Sequence, residues 1–178
     1  MNPAEMKKRL KGIVTVQLYP FDEKGTLDLA GLEKNTRFLV DFSENGKKDV
    51  VILTNGSTSE FYAMSDDEQK EAVKTVLAVK GNTPVIVGTS RAGTEETVRF
   101  SRWAQDAGAD AVMVVNPYYH QATKEGMYLH HKTINDALDT AIMVYNNPFC
   151  SGSWIDPQLM GRIAKLKNVI AVKENTAS

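Results

Sequence analysis

The chain has 178 residues, of which 42% are hydrophobic and 24% are charged, a composition typical of a folded globular protein. Its formal net charge of −1 gives no electrostatic reason to expect nucleic acid or an anionic membrane as a partner. The single cysteine, Cys150, excludes an internal disulfide framework and a thiolate zinc cluster. We find no apolar signal-peptide core and no apolar run of roughly 18 residues, so we expect a cytoplasmic protein without a membrane span.

Six short apolar runs rich in β-branched residues recur along the chain, with helical patterns between them. In chain order they read GIVTVQLYPF, DVVILTNGS, TPVIVGTS, AVMVVNPYY, AIMVYNNP and VIAVKEN. Because these runs are continuously apolar rather than alternating, they predict strands covered on both faces, as in a parallel sheet.

The segments between the runs contain helix start and stop signals. Ser65 opens a capping box in SDDE, and a helix that begins at Thr94 is expected to end at Gly108. Asp156 followed by Pro157 is typical of a helix N-terminus. The predicted order is therefore a strand–helix unit repeated five times, followed by a sixth strand.

Two α/β architectures fit this order, an open doubly wound sheet and a (β/α)8 TIM barrel. The turn after the first strand, LYPFDEKGTL, has no glycine-rich phosphate-binding pattern, and polar residues follow several strands, which favours the barrel. A barrel needs eight strands and typically about 250 residues. We therefore predict that residues 1–178 are the N-terminal part of a single barrel domain, with about six strands and five helices, that stops after strand six.

Polar side chains follow four of the predicted strands. These strands end in NGSTSE, NPYYH, YNNP and KEN. Because the carboxyl ends of parallel strands meet at one edge of a sheet, we expect small hydroxyls, tyrosines and one lysine to converge there. The histidines are poor candidates for a metal site, because His130 and His131 are adjacent on a predicted helix and point to different sides. We expect no metal.

Lys173 lies at the tip of the last apolar run. Among valine and isoleucine side chains a charged ammonium is disfavoured relative to a neutral amine, which is a nucleophile toward carbonyl carbon. The alternative is a lysine that extends into solvent. Tyr145, on the neighbouring strand, could lie over this amine and move protons, or it could simply pack.

The GSTSE turn after strand two could hold a carboxylate. Gly56 allows close backbone approach, while Ser57 and Thr58 offer two hydroxyls and backbone N–H groups. The alternative interpretation is a polar loop that leads to the Ser65 cap.

The order and spacing of four motifs resemble the dihydrodipicolinate synthase / N-acetylneuraminate lyase family: GSTSE, NPYYH, YNNP and VKEN. The same family is resembled by the opening segment GIVTVQLYPFDEKGTLD and by SDDEQKEAV. The resemblance covers essentially the whole chain. It implies a (β/α)8 barrel, a homo-oligomer built as a dimer of dimers, and no metal or organic cofactor.

The resemblance also implies roles for individual residues. Lys173 matches the lysine that forms a Schiff base with pyruvate or another 2-keto acid, and Tyr145 matches the tyrosine that shuttles protons at the imine. Ser57 and Thr58, with Gly56, match the turn that holds the keto-acid carboxylate. Tyr119 matches a tyrosine that, in the synthases, reaches into a neighbouring subunit's site.

Two positions depart from the family's patterns. Cys150 stands where the synthases have an arginine that meets the aldehyde's carboxylate, and Asn175 stands where sialic acid lyases have a threonine. Our hypothesis is a lysine-dependent aldolase or lyase acting on pyruvate or a related 2-keto acid. The alternatives are a dihydrodipicolinate synthase that uses aspartate semialdehyde, a sugar-acid dehydratase, and a non-catalytic binding or regulatory protein on the same fold.

Overall fold

The computed structural model describes residues 1–46 and 48–176, which contain a six-stranded parallel sheet. Its strands are β1 (Ile13–Val16), β2 (Val50–Thr54), β3 (Val85–Gly88), β4 (Ala111–Val115), β5 (Ala141–Asn146) and β6 (Val169–Glu174). Each strand pairs in parallel with the next one in the sequence. This strictly sequential order is that of a (β/α)8 barrel, whereas a doubly wound sheet reverses its order at a switch point. The predicted fold class is confirmed.

Five of the helices in the described residues connect the strands and cover one face of the sheet, and two other short helices lie at the ends of the strands. The helices are α1 (Pro3–Arg9), α2 (Leu29–Glu44), α3 (Asp66–Val79), α4 (Thr94–Asp106), α5 (Lys124–Asp136), α6 (Pro148–Ser151) and α7 (Pro157–Ile163). The five predicted helices correspond to α2, α3, α4, α5 and α7, and the predicted caps at Ser65 and Asp156 are confirmed. Within the described residues, no helix has both the length and the apolar character needed to cross a membrane.

The structure adds two short helices, α1 and α6, that we did not predict. Asn2 caps α1 through a capping box with Glu5, and Met6 from this helix packs on the inner face of the sheet. Arg9 donates a hydrogen bond to the carbonyl of Asn82, which precedes β3, so α1 covers the amino ends of the strands. The carboxyl ends of the strands, at the opposite side of the sheet, are not covered by α1 and are accessible for a functional site.

The strands have two apolar faces with different partners. On the outer face, Ile52, Val87 and Val112 pack against side chains of the helices. On the inner face, Leu53, Ile86, Met113, Met143 and Tyr145 form one cluster. Because side chains alternate along a strand, a strand covered on both faces reads as a continuous apolar run.

Within the described residues β2–β5 are covered on both faces, as predicted, whereas β1 and β6 are partly exposed. Every residue of β2–β5 is buried, whereas Ile13 in β1 is 61% exposed and Val172 in β6 is 39% exposed. Each of the two outer strands has a single neighbour in the described sheet. An apolar run alone does not distinguish an edge strand from a central one.

Two adjacent histidines are buried on α5. His130 shares a hydrogen bond of 2.9 Å between its Nδ1 and the Thr94 hydroxyl, and the Nε2 of His131 is 3.1 Å from the side-chain oxygen of Asn116. Burial lowers the pKa of His130 to about 4. Burial, and secondarily the neighbouring His130, lowers the pKa of His131 to about 3. Both rings are therefore neutral in the folded protein at neutral pH.

We expect acid to destabilise the fold through these two histidines. An unfolded histidine binds a proton near pH 6.5, whereas the folded pair stays neutral down to about pH 4 and 3, so stability is lost as the pH falls below 6.5. Between pH 7 and pH 5 the loss is on the order of 2 kcal/mol per histidine. Urea unfolding at the two pH values measures it.

A matched pair of variants separates this effect from other titrations. His131→Asn is expected to remove about half of the loss between pH 7 and pH 5, because His130 still titrates, whereas His120→Gln, at an exposed position, is expected to leave the loss unchanged. Equal unfolding free energies at pH 7 and pH 5 for the unmodified protein would contradict the prediction.

Candidate active site

A cavity of about 240 Å³ lies at the carboxyl ends of β2–β5. Each of these four strands, or the loop that follows it, contributes to the wall. The lining residues are Asn55, Ser57, Phe61, Tyr62, Gly88, Ser90, Met113, Val115, Tyr118, Tyr145 and Cys150. This is the end of a parallel α/β sheet at which ligands bind. Ser57 and Tyr145, two of the predicted site residues, share this cavity.

The turn after β2 is shaped by Asn55. Its φ of +56° lies in the left-handed region, which asparagine tolerates better than most residues. Its buried side-chain amide donates to the carbonyl of Gly88 at 2.7 Å and to the side-chain oxygen of Gln69 at 2.9 Å. These bonds hold the turn against β3, so that Ser57 begins a short 3-10 turn at the cavity wall.

The chain approaches itself closely at Gly88. A Cβ atom added there would lie 2.1 Å from the carbonyl oxygen of Asn55. We therefore expect Gly88→Ala to lower the free energy of unfolding by about 1–3 kcal/mol, as overpacking does. Gly161→Ala is the control, because its added Cβ meets no atom within 4 Å. Urea denaturation of both variants measures the difference, and equal stabilities would show that the turn yields freely.

The two predicted carboxylate-binding hydroxyls lie in different surroundings. Ser57 is half-buried and lines the cavity, whereas Thr58 is exposed and is not part of the lining. Gly56 is buried, and a Cβ there would lie 3.0 Å from Leu53 and 3.1 Å from Val16. A side chain at position 56 would therefore be tightly packed against Leu53 and Val16, and these two side chains would have to shift slightly.

Lys173 and Tyr145 are paired across β5 and β6. The parallel register sets the two residues opposite each other, and the amine nitrogen of Lys173 lies 3.6 Å from the centroid of the tyrosine ring. Tyr145 is buried and Lys173 is half-buried. The ring of Tyr145 therefore contacts the amine of Lys173 and also forms part of the cavity wall.

A β-bulge in β6 turns the side chain of Lys173 toward the inner face of the sheet. Val169 pairs with Ile142 while Ala171 pairs with Met143, the next residue of β5, so Ile170 is an extra residue. Val169 packs with the helices, whereas Ile170 and Ala171 both pack on the inner face. In an unbroken strand the alternation would turn Lys173 toward the helices. The bulge was not predicted, because a continuous apolar run does not show which of its side chains point to each face of the sheet.

Asn147 holds the hydroxyl of Tyr145. Its side-chain amide donates to the Tyr145 hydroxyl oxygen at 2.8 Å and to the Cys150 sulfur at 3.1 Å, and the residue is buried. Because this oxygen accepts a hydrogen bond, the phenol's own hydrogen is free for another acceptor. Asn147 was not among the predicted site residues. Its position two residues after the tyrosine was the available signal.

The two tyrosines after β4 differ in position. Tyr118 lines the cavity, and burial raises the pKa of its phenol. Tyr119 is 80% exposed, and its ring contacts that of His120 outside the cavity lining. Among the described residues there is no group of three or more histidine, cysteine, aspartate and glutamate side chains that could hold a metal ion.

A sequential parallel sheet with a cavity at its carboxyl ends defines a protein of the (β/α)8-barrel class. The model of the dihydrodipicolinate synthetase family matches residues 9–178. The chain therefore belongs to that family, as its motifs predicted.

Known proteins resemble this chain in sequence and in fold. The 4-hydroxy-tetrahydrodipicolinate synthase of Thermotoga neapolitana is 39% identical over 166 residues, which are 92% of this chain and 54% of that protein. The chloride-inhibited dihydrodipicolinate synthase of Acinetobacter baumannii, solved with pyruvate, superposes with a TM-score of 0.86 at 30% identity, over 94% of this chain and 56% of that one. An N-acetylneuraminate lyase from Mycoplasma synoviae superposes with a TM-score of 0.78 at 28% identity, over 93% of this chain and 55% of that one. The chain thus spans about half the length of these relatives.

Proposed function

We propose that the natural protein containing this chain is an aldolase or lyase that forms an imine between Lys173 and pyruvate or a related 2-keto acid. The observation that carries the proposal is the Lys173 amine, 3.6 Å from the centre of the Tyr145 ring beside a cavity at the carboxyl ends of the strands. The related synthase solved with pyruvate supports the same substrate class.

The proposed chemistry needs a nucleophile and a proton carrier. The neutral amine of Lys173 adds to the keto carbon, and the resulting carbinolamine loses water to give the imine. Tyr145, whose hydroxyl Asn147 holds at 2.8 Å, would move protons during these steps. The imine then serves as the electron sink for breaking or making the neighbouring carbon–carbon bond, so the proposal requires no metal or organic cofactor.

The remaining roles are proposed on the family resemblance and on position. Ser57, at the cavity wall, would bind the keto-acid carboxylate together with Gly56 and Thr58 of the same turn. Tyr119, exposed on the surface, would reach a neighbouring subunit's site in a homo-oligomer arranged as a dimer of dimers. We also propose that residues 1–178 are the N-terminal part of one barrel domain, since β1 and β6 expose apolar side chains at the two sheet edges.

Borohydride reduction tests the imine directly. Incubating the protein at its natural length with pyruvate and borohydride is expected to add one carboxyethyl group per chain, seen by intact-mass spectrometry. The control without pyruvate should show no added mass. An unchanged mass with pyruvate present would overturn the proposal and would favour a non-catalytic protein on this fold.

A second candidate is the synthase reaction, which the names of the relatives favour. It would condense pyruvate with aspartate semialdehyde. Measuring turnover of the two substrates together decides the point, and a rate near 1–10³ s⁻¹, which is typical of enzymes, would establish synthase activity. A sugar-acid dehydratase would instead consume a sugar acid and release water.

A further inference from the structure

We infer that the second substrate is an aldehyde whose carbon chain is uncharged and apolar or aromatic where it meets the cavity. This inference rests on the proposed function, in which Lys173 first takes a 2-keto acid. It adds the chemical class of the partner to which that keto acid is joined, or from which it is cleaved.

Apolar and aromatic side chains form most of the cavity wall. Phe61 and Tyr62 come from the loop after β2, Met113 and Val115 from β4, and Tyr118 from the segment that follows. A planar or aliphatic group is stabilised when it leaves water for such a wall, because its apolar surface is buried. The wall thus favours an aldehyde that presents hydrocarbon.

The polar groups in this wall are neutral. Burial raises the pKa of Tyr118, so its phenol keeps its proton at neutral pH. Ser57, Ser90 and Asn55 have hydroxyl or amide side chains, and Cys150 offers a thiol. In the proposed function Ser57 is already occupied by the carboxylate of the keto acid, and Ser90, Asn55 and Cys150 offer a second carboxylate weaker partners than a cation would.

Arg91 lies behind the aromatic part of the wall and is already engaged. It shares a smaller cavity with Phe61, Tyr62 and Tyr118. Its guanidinium donates to Asp66 at 2.8 and 3.1 Å, to Gln69 at 3.0 Å and to the Ser90 carbonyl at 2.9 Å. It also lies 3.9 Å from the centre of the Phe100 ring. Once the imine forms, the nitrogen of Lys173 is bonded to the keto acid and is no longer a free ammonium that can pair with a second carboxylate.

A carboxylate on the aldehyde would therefore enter this wall without a cation among residues 1–46 and 48–176. Leaving an ion buried and unpaired is strongly unfavourable. Charged aldehydes should therefore be poorer partners than uncharged ones of the same length.

Matched pairs of aldehydes test this inference. The protein at its natural length is assayed with pyruvate and either butanal or succinic semialdehyde, and with either benzaldehyde or 4-carboxybenzaldehyde. We expect kcat/KM to be on the order of 10²-fold higher for the uncharged member of each pair. A kcat/KM that is equal, or higher for the carboxylated member, would overturn the inference.

A charge added to the wall provides a second test. Cys150→Arg introduces a cation at the cavity and is expected to shift the preference at least tenfold toward the carboxylated aldehydes. Phe149→Arg adds the same charge one residue earlier, at a side chain that is 94% exposed and does not line the cavity, and should leave the preference unchanged. Identical preferences in both variants and in the unmodified protein would count against the role of this wall.

Failure of this inference is distinguishable from failure of the proposed function. Each sample is also treated with pyruvate and borohydride. Trapped keto acid together with a preference for carboxylated aldehydes rejects only the inference about the second substrate. Absence of trapped keto acid rejects the imine mechanism and with it the inference.

Discussion

Lys173→Arg is expected to abolish turnover while leaving the protein folded. In the unmodified protein the amine of Lys173 lies 3.6 Å from the centre of the Tyr145 ring. An arginine there keeps a positive charge near the ring, but its guanidinium stays protonated and cannot form an imine. We expect kcat to fall by about 10³-fold or more, as when a catalytic nucleophile is removed. Steady-state turnover measures this loss, and thermal unfolding shows whether the fold is retained.

Lys165→Arg is the matched control, because Lys165 is an exposed lysine just after α7. It should turn over at the rate of the unmodified protein. A Lys173→Arg variant that keeps more than a tenth of the original kcat would show that the imine forms elsewhere or is not required.

Tyr145→Phe is expected to lower kcat by about 10²–10⁴-fold, the range that a positioned general acid or base contributes. The phenylalanine ring keeps the contact with the Lys173 amine and with the cavity, and removes only the hydroxyl that accepts from Asn147. Single-turnover kinetics should therefore show slow imine formation with pyruvate affinity little changed.

The control for this variant is Tyr128→Phe. Tyr128 lies on α5, where Arg162 stacks 4.2 Å from its ring centre, and it is not part of the cavity lining. We expect unchanged kinetics. If Tyr145→Phe matched the unmodified kcat, the proton transfers would have to be assigned to another group of the cavity wall, such as Tyr118.

Much of the fold could be predicted from the sequence because its signals are local. The six apolar runs correspond to the six strands, and the capping residues Ser65 and Asp156 begin α3 and α7 as expected. The outer positions of β1 and β6 agree with the prediction of a barrel part that stops after strand six. The helix α1 was missed although Asn2, Pro3 and Glu5 form a recognisable start.

The candidate site was predicted in part. Lys173 and Tyr145 meet as expected, but they do so through the bulge at Ile170, which depends on pairing with β5 rather than on local sequence. Ser57 lies in the cavity wall, while the side chain of Thr58, the next residue of the same 3-10 turn, is exposed. Asn147 was missed as a site residue, because the partner of a buried amide is visible only once the chain is folded.

The measurement that tests the central claim most directly is peptide mapping after borohydride reduction with pyruvate. The protein is digested and the modified lysine is located by tandem mass spectrometry, in the unmodified protein and in Lys173→Arg. We predict that the carboxyethyl group lies on Lys173 and is absent from the variant. An adduct on another lysine, or equal trapping by the variant, would contradict the proposal that Lys173 is the imine-forming residue.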